Sequence, residues 1–566
     1  MSHITRRELL KGAGAVVATA AVHPMLHAAS GDSKGIDASR VGLVIGNSKY
    51  TDSPLSNPVN DANAIAQLSE VMGFKTQCLL NASLKDISAA VEAYVDELQR
   101  QKAVGFFYYA GHGVQLGWRN YIVPIGANID RLDDVPKQAY ELNIMLAALT
   151  KAKNPMNIII LDACRDNPFG KRVLPEQKGL SQFDAPIGSL LSYATSPGNT
   201  ASDGSGANGL FTENLLREMK VPLTKIEDVF KRVRLNVRLQ SKGGQIPWES
   251  TSLEDDFYFI ADEAQFKQAE RALAQANANK AAEAVPQETG TLLARAEAEF
   301  SLAKQSVEQR IQTELSAWEQ TLANPSVAAL EGYLKRYPSG AYSEIAAARL
   351  DALLAKAGEK KLAVQSTDNN PYTKGTASGV TRYTVGDQFT YTDNDGYTNI
   401  VEGTYTEVVT SVSDTQTVFD DGARIVDMLG NEEKSKSNNF VSIAQFYPNS
   451  YELGKTWRTN FRYWSPGGWT GRSGFQPART IKVAVDLKVV ARESITTKAG
   501  TFNAFKIVGY GFRGNSGTTV EVRYWIDPER CSYPLRYEWN DGGSNVPGGK
   551  NLKRKELVAF RQRATG

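Results

Sequence analysis

Histidine and cysteine are scarce in this chain: 566 residues hold four of the first and three of the second. Cys78, Cys164 and Cys531 are too few for a disulfide framework and too far apart for a cysteine-rich zinc site. Net charge is lacking as well. Sixty-four Lys and Arg against 62 Asp and Glu leave +2, no basis for non-specific nucleic-acid binding, which runs on excess positive charge. No apolar run approaches the ~20 residues of a membrane-spanning helix. What is present, 42% hydrophobic and 22% charged residues, is an ordinary globular composition. At ~150 residues per domain the length allows three or four domains.

Residues 1–30 read as an address. Arg6 and Arg7 precede a short run from Gly12 to Val22 rich in Ala, Gly and Val. That is the layout of a twin-arginine export signal, with an apolar region too short to span a bilayer. The expected location is therefore periplasmic or secreted. A cut near Ala29 would remove His3, His23 and His27, leaving His112 as the one histidine and excluding a multi-histidine metal site.

Residues 40–260 alternate between strand and helix patterns. Val41–Ile45, Phe74–Leu80, Val104–Tyr109, Met156–Leu161 and Ser189–Ala194 read as strands. Asn57 with Pro58 opens a helix carrying Ala62, Ile65, Leu68, Val71 and Met72 on one face. Further helix patterns cover 84–98, 211–219 and 226–239. Such alternation predicts a mainly parallel sheet with helices on both faces. Residues 263–362 lose all strand character and predict a helical region, with one tetratricopeptide-type hairpin from Tyr333. Residues 363–380 suit a linker, and 381–566 alternate as an all-β barrel or sandwich. Its stretches 499–507 and 524–528 loosely resemble bacterial periplasmic β-barrel domains.

Two strand ends carry chemistry. One runs Tyr109-Ala-Gly-His112-Gly113, and the other runs Leu161-Asp162-Ala-Cys164-Arg165. In open parallel sheets, sites form at the carboxyl ends of strands. A free thiol with a pKa of ~8.5 is mostly un-ionised at neutral pH, and a neighbouring imidazole assists its ionisation. The oxyanion of an acyl-transfer step needs N–H donors at close approach, which Gly113 permits, so the amides of Gly113 and Cys164 are the expected donors. Taken singly, such a Cys is more often a small buried hydrophobe and such a His a loop residue.

These pieces stand in a recognisable order. Gly42–Gly46, Asn60-Asp61-Ala62, the His112 and Cys164 segments, Tyr193–Gly198 and Gln245–Phe259 together resemble the caspase/metacaspase superfamily of cysteine endopeptidases. The resemblance implies Cys164 as nucleophile and His112 as acid/base, with the oxyanion hole on Gly113 and Cys164. It implies a substrate pocket at Asp162, Asp61 and Asp203, where acidic side chains attract Arg or Lys and repel Asp. Cleavage of protein or peptide substrates after a basic residue is the resulting expectation. Asp61 has a plainer role open to it as a first-turn helix carboxylate, and Asp162 as a strand-end acceptor.

Departures from the family pattern count too. Pro58 stands where many metacaspases carry a second cysteine. No metal ligand or cofactor is assigned, and calcium is the open candidate: Asp130, Asp133 and Asp134 form an acidic loop, but Gly126 replaces one expected acid. Lys171-Arg172 is the expected self-cleavage site. Competing expectations are a catalytically silent scaffold, or a β domain that binds an envelope glycan or lipid through Trp457, Trp464 and Trp469. Cys78 is expected to be buried, and a Cys78–Cys531 bridge is not expected.

Overall fold

The computed structural model describes residues 38–163, 169, 180–196, 206–278, 286–359, 370–435, 439–440, 442, 444–465, 468–470, 474–514, 518–541 and 551–563. Cys164, Lys171, Arg172, Asp203 and the segment read as an export signal lie outside them.

The first half builds a six-stranded sheet. In chain order its elements begin β1 (Arg40–Gly46), α1 (Pro58–Val71), β2 (Phe74–Leu80), α2 (Leu84–Gln101) and β3 (Val104–Ala110). A small antiparallel sheet follows: β4 (Gly113–Leu116) and β5 (Arg119–Ile122), then, after α3 (Val135–Gln138), β6 (Tyr140–Glu141). Next come α4 (Leu142–Ala152), β7 (Met156–Asp162), β8 (Ser189–Tyr193), α5 (Leu210–Met219), α6 (Ile226–Gln240) and β9 (Trp248–Thr251). The large sheet has the order β2-β1-β3-β7-β8-β9, parallel throughout except for β9.

Local chemistry explains the elements. α1 begins at Asn57-Pro58, although the Asn57 side chain does not cap it. α2 opens with a reciprocal capping box between Ser83 and Asp86. Every residue of β3 and β7 is buried, as expected of central parallel strands. Alternate side chains serve two cores. Val44, Phe106, Tyr108, Ile158 and Ile160 face α1, α5 and α6. Leu43, Ile45, Phe107, Tyr109, Ile159 and Leu161 face α2 and α4. The Phe257-Tyr-Phe259 ending closes the first core, Phe259 meeting Phe106 edge-on.

Among the described residues five helices follow: α7 (Glu263–Ala278), α8 (Pro286–Lys304), α9 (Val307–Ala323), α10 (Val327–Arg336) and α11 (Ser343–Lys356). They bind the α/β layer through ion pairs Arg232–Glu299, Arg295–Glu218 and Arg238–Asp351. Trp318 of α9 stacks on Tyr342 at the turn between α10 and α11.

From Gln388 to Arg561 the described residues form a twelve-stranded antiparallel sheet. Its two edge strands, Glu432–Lys434 and Asn439–Phe440, are neighbours in sequence. Eleven interstrand steps would measure ~53 Å if flat, whereas five residues reach at most ~18 Å. The sheet therefore curls until its edges approach. Trp457 is buried in the core of this curl and donates to the Gln445 carbonyl at 3.1 Å, so it lines no exposed groove. Trp464 is exposed, and the Trp469 side chain lies outside the described ones.

The stretch of linker composition is partly docked. Asn370 donates to the Gln182 carbonyl at 2.8 Å, and Asp184 accepts from the Thr373 hydroxyl and the Lys374 amide. Cys78 corrects an expectation: it sits in β2 but is exposed, because β2 is the edge strand. Cys78 and Cys531 are both free thiols.

Candidate active site

β1, β3 and β7 are neighbours in the sheet, and three loops leave their carboxyl ends side by side. The first carries Tyr50 and Ser53, the second His112, and the third leads from Asp162 towards Cys164. Chain direction reverses its lateral progress at β1, which adjoins both β2 and β3. A crevice at such a switch point is where open α/β sheets bind ligands.

His112 is buried, 3% exposed. Its Nε2 lies 2.7 Å from the Ser53 carbonyl oxygen. A carbonyl only accepts, so Nε2 carries the proton and, in the neutral ring, Nδ1 is the basic nitrogen. The backbone of His112 is clamped as well: its carbonyl accepts from the Val123 amide at 2.9 Å and from the Tyr109 hydroxyl at 2.8 Å.

The loop of His112 lies against the approach to Cys164. Gly111 N donates to the Asp162 carbonyl at 3.3 Å. A Cβ on Gly113 would meet the Ala163 carbonyl oxygen at 2.9 Å and the Ala163 Cβ at 3.1 Å. Glycine is thus required at 113 by close approach to the residue that precedes Cys164.

Asp61 and Asp162 are brought to one element. Asp61, fully buried, accepts from the Gly209 amide at 2.9 Å. Asp162, 2% exposed, accepts from the Thr212 hydroxyl at 2.9 Å, and that hydroxyl lies 2.6 Å from the Tyr108 hydroxyl. Gly209 and Thr212 flank the first turn of α5, a position where the helix dipole favours negative charge. The motif pieces Tyr193–Gly198 and Gln245–Phe259 also meet, Gln245 donating to the Ala194 carbonyl at 2.9 Å.

The acidic loop after the histidine strand is committed locally. Asp133 pairs with Arg131 at 3.7 Å, and Asp134 accepts from the Arg131 amide and pairs with Lys137. Among the described residues no three His, Cys, Asp or Glu side chains come together to hold a metal ion. No helix among the described residues is long and apolar enough to cross a membrane.

Residues 39–258 match the family model described as the caspase domain. That segment is a caspase domain of the caspase/metacaspase-like superfamily. The human mucosa-associated lymphoid tissue lymphoma translocation protein 1 is 28% identical over 196 residues, covering 32% of this chain and 22% of that protein. Its mouse homologue matches to the same extent. The chain thus spans about a fifth of the length of these curated relatives. A crystal structure of caspase-1 from Spodoptera frugiperda aligns with 40% of this chain and 94% of its own, at 14% identity and a TM-score of 0.31.

Three residues of the caspase-domain site carry little signal in the sequence. Ser53 acts through its backbone carbonyl, which any residue type supplies. Tyr50 sits in a polar loop, and Thr212 is one polar residue on a helix whose register with Asp162 is not visible without the fold.

Proposed function

We propose that this protein is an exported cysteine endopeptidase that cleaves after Arg or Lys. The observation that carries the reading is the His112 ring, whose Nε2–H is spent on Ser53 so that Nδ1 remains as the base, on a loop packed against Ala163. In this reading Cys164 gives its proton to His112 Nδ1, and the thiolate attacks the scissile carbonyl carbon. The Gly113 and Cys164 amides donate to the oxyanion so formed. Collapse breaks the C–N bond, and the imidazolium passes its proton to the leaving amine. Water, deprotonated by His112, then hydrolyses the thioester to a carboxylic acid and restores the thiol.

The basic preference draws its support from Asp61 and Asp162, two buried carboxylates anchored on one turn of α5, with Asp203 as the third proposed pocket residue. A buried carboxylate matches an incoming guanidinium or ammonium and rejects an acidic side chain. Lys171-Arg172 is the proposed self-cleavage site. Residues 1–30 support export to the periplasm or beyond by the twin-arginine route.

Covalent labelling tests this reading. A peptidyl-arginyl chloromethyl ketone is expected to alkylate Cys164, identified by peptide mass spectrometry, while the aspartyl analogue leaves it intact. Equal labelling by both would remove the basic pocket, and labelling of neither would remove the peptidase reading. Self-cleavage at Lys171-Arg172 fails as a proposal if Cys164→Ala protein shows the same fragments.

A further inference from the structure

We propose that Tyr50 is the positioning residue of the hydrolytic dyad, holding both the main chain and the imidazole of His112; the inference rests on the dyad reading above. The Tyr50 ring centroid lies 4.4 Å from that of His112, with the planes inclined at 52°. Its hydroxyl accepts from the His112 amide at 3.0 Å and donates to the Val123 carbonyl at 3.1 Å. The same oxygen lies 3.2 Å from the Tyr109 hydroxyl, which in turn donates to the His112 carbonyl. Two phenols therefore grip the two polar backbone groups of His112. Gly111 shows how tight the grip is: a Cβ there would lie 2.6 Å from each hydroxyl.

The side chain of Tyr50 does two separable things. Its hydroxyl fixes the His112 main chain, and with it the position of the adjoining Gly113 amide. Its ring bounds the swing of the imidazole and offers an aromatic face to that ring when it carries a proton. Ser53, which accepts from Nε2, belongs to the same loop. That loop is itself tied down: the Tyr50 and Leu55 amides both donate to the Ser48 carbonyl at 3.0 Å. The Ser48 and Lys49 amides donate to Asn81 Oδ1 at 3.0 Å. The β1–α1 loop thus sets the imidazole from one side as a unit.

The test uses full-length Tyr50→Phe, Tyr50→Leu and His112→Ala proteins. Two quantities are read: kcat and KM on an arginyl peptide, and the rate of Cys164 alkylation by iodoacetamide, followed peptide by peptide by mass spectrometry. Misplacement by ~1 Å costs on the order of 100-fold in rate. Tyr50→Leu is expected to lose about that factor in kcat, with KM within about twofold. Tyr50→Phe, which keeps the ring, is expected to lose about tenfold, a partial rescue. Cys164 alkylation should slow in the same order. If His112→Ala abolishes turnover and slows alkylation while both Tyr50 variants stay within about twofold of the parent, the positioning role is wrong. Should Tyr50→Leu fail to fold, Tyr50→Phe decides by the same criterion. If His112→Ala itself leaves both rates intact, the dyad reading fails first and the inference falls with it.

Discussion

At the scale of single residues, the site separates groups that act through side chains from groups that act through the backbone. His112, Asp61 and Asp162 are side-chain choices, and their residue types are legible in the sequence. Ser53 and Gly113 contribute a carbonyl and a close approach. Gly113 is legible because glycine alone lacks a Cβ, whereas Ser53 is invisible because every residue has a carbonyl. Asp162 offers a clean discrimination between pocket and anchor. Asp162→Asn removes a charge while keeping an acceptor for the Thr212 hydroxyl. Loss of a charge-assisted contact of ~1.5–3 kcal/mol corresponds to a ~10- to 100-fold fall in kcat/KM on arginyl peptides, with little change in melting temperature. A lower melting temperature with unchanged arginine preference would mark Asp162 as a strand-end anchor of α5. Thr212→Val should give a smaller loss of the same kind, read as a rise in KM.

Among elements, the carboxyl ends of β1, β3 and β7 converge, and this was legible from strand alternation and the two motif-bearing strand ends. The strand Phe74–Leu80 has its expected bounds, and Met156–Asp162 extends the expected apolar run Met156–Leu161 by one residue. The small β4–β6 sheet escapes the sequence pattern: its strands are two to four residues long, too short for a period-two pattern. The strap Asn370–Lys374 escaped too, because polar composition suits a docked loop as well as a free linker. Its hydrogen bonds to Ser181–Asp184 join the second half of the chain to the segment that follows Cys164. Asp184→Ala removes the acceptor of two of those bonds and is expected to cost ~1–3 kcal/mol of stability, measured by denaturant unfolding. Gly113→Ala is the sharper element-scale change. Its new methyl would press on the Ala163 carbonyl, so hydrolysis should fall by on the order of 100-fold while secondary structure is retained.

Across the whole molecule, the caspase domain, helices and β sheet share a charged junction. Arg234 and Glu249 of the α/β layer, Glu344 of α11, and Lys455 and Glu452 of the β region meet there. Burial pushes the Glu452 carboxyl from 4.5 up to about 7; Lys455 and Arg234 oppose that push, and Glu249 and Glu344 add to it. Its Oε2 accepts no hydrogen bond from any described residue. A carboxyl raised on folding contributes stability that is complete below its unfolded value and is lost as pH rises through its folded one. Stability at this junction should therefore decline between about pH 4.5 and about pH 7. Glu452→Gln is expected to melt higher than the parent by a margin that grows from pH 5 to pH 8; a margin independent of pH would contradict this. The local pairing of Asp133 and Asp134 makes a second whole-protein expectation: EGTA should leave peptidase activity unchanged.

The most direct test of the account is hydrolysis of paired fluorogenic peptides ending in Arg or Asp by the full-length protein under reducing conditions, beside Cys164→Ala and His112→Ala. Release after Arg, none after Asp, and loss of release in both variants are expected. Silence of the parent protein on every peptide, or release that survives Cys164→Ala, would contradict it.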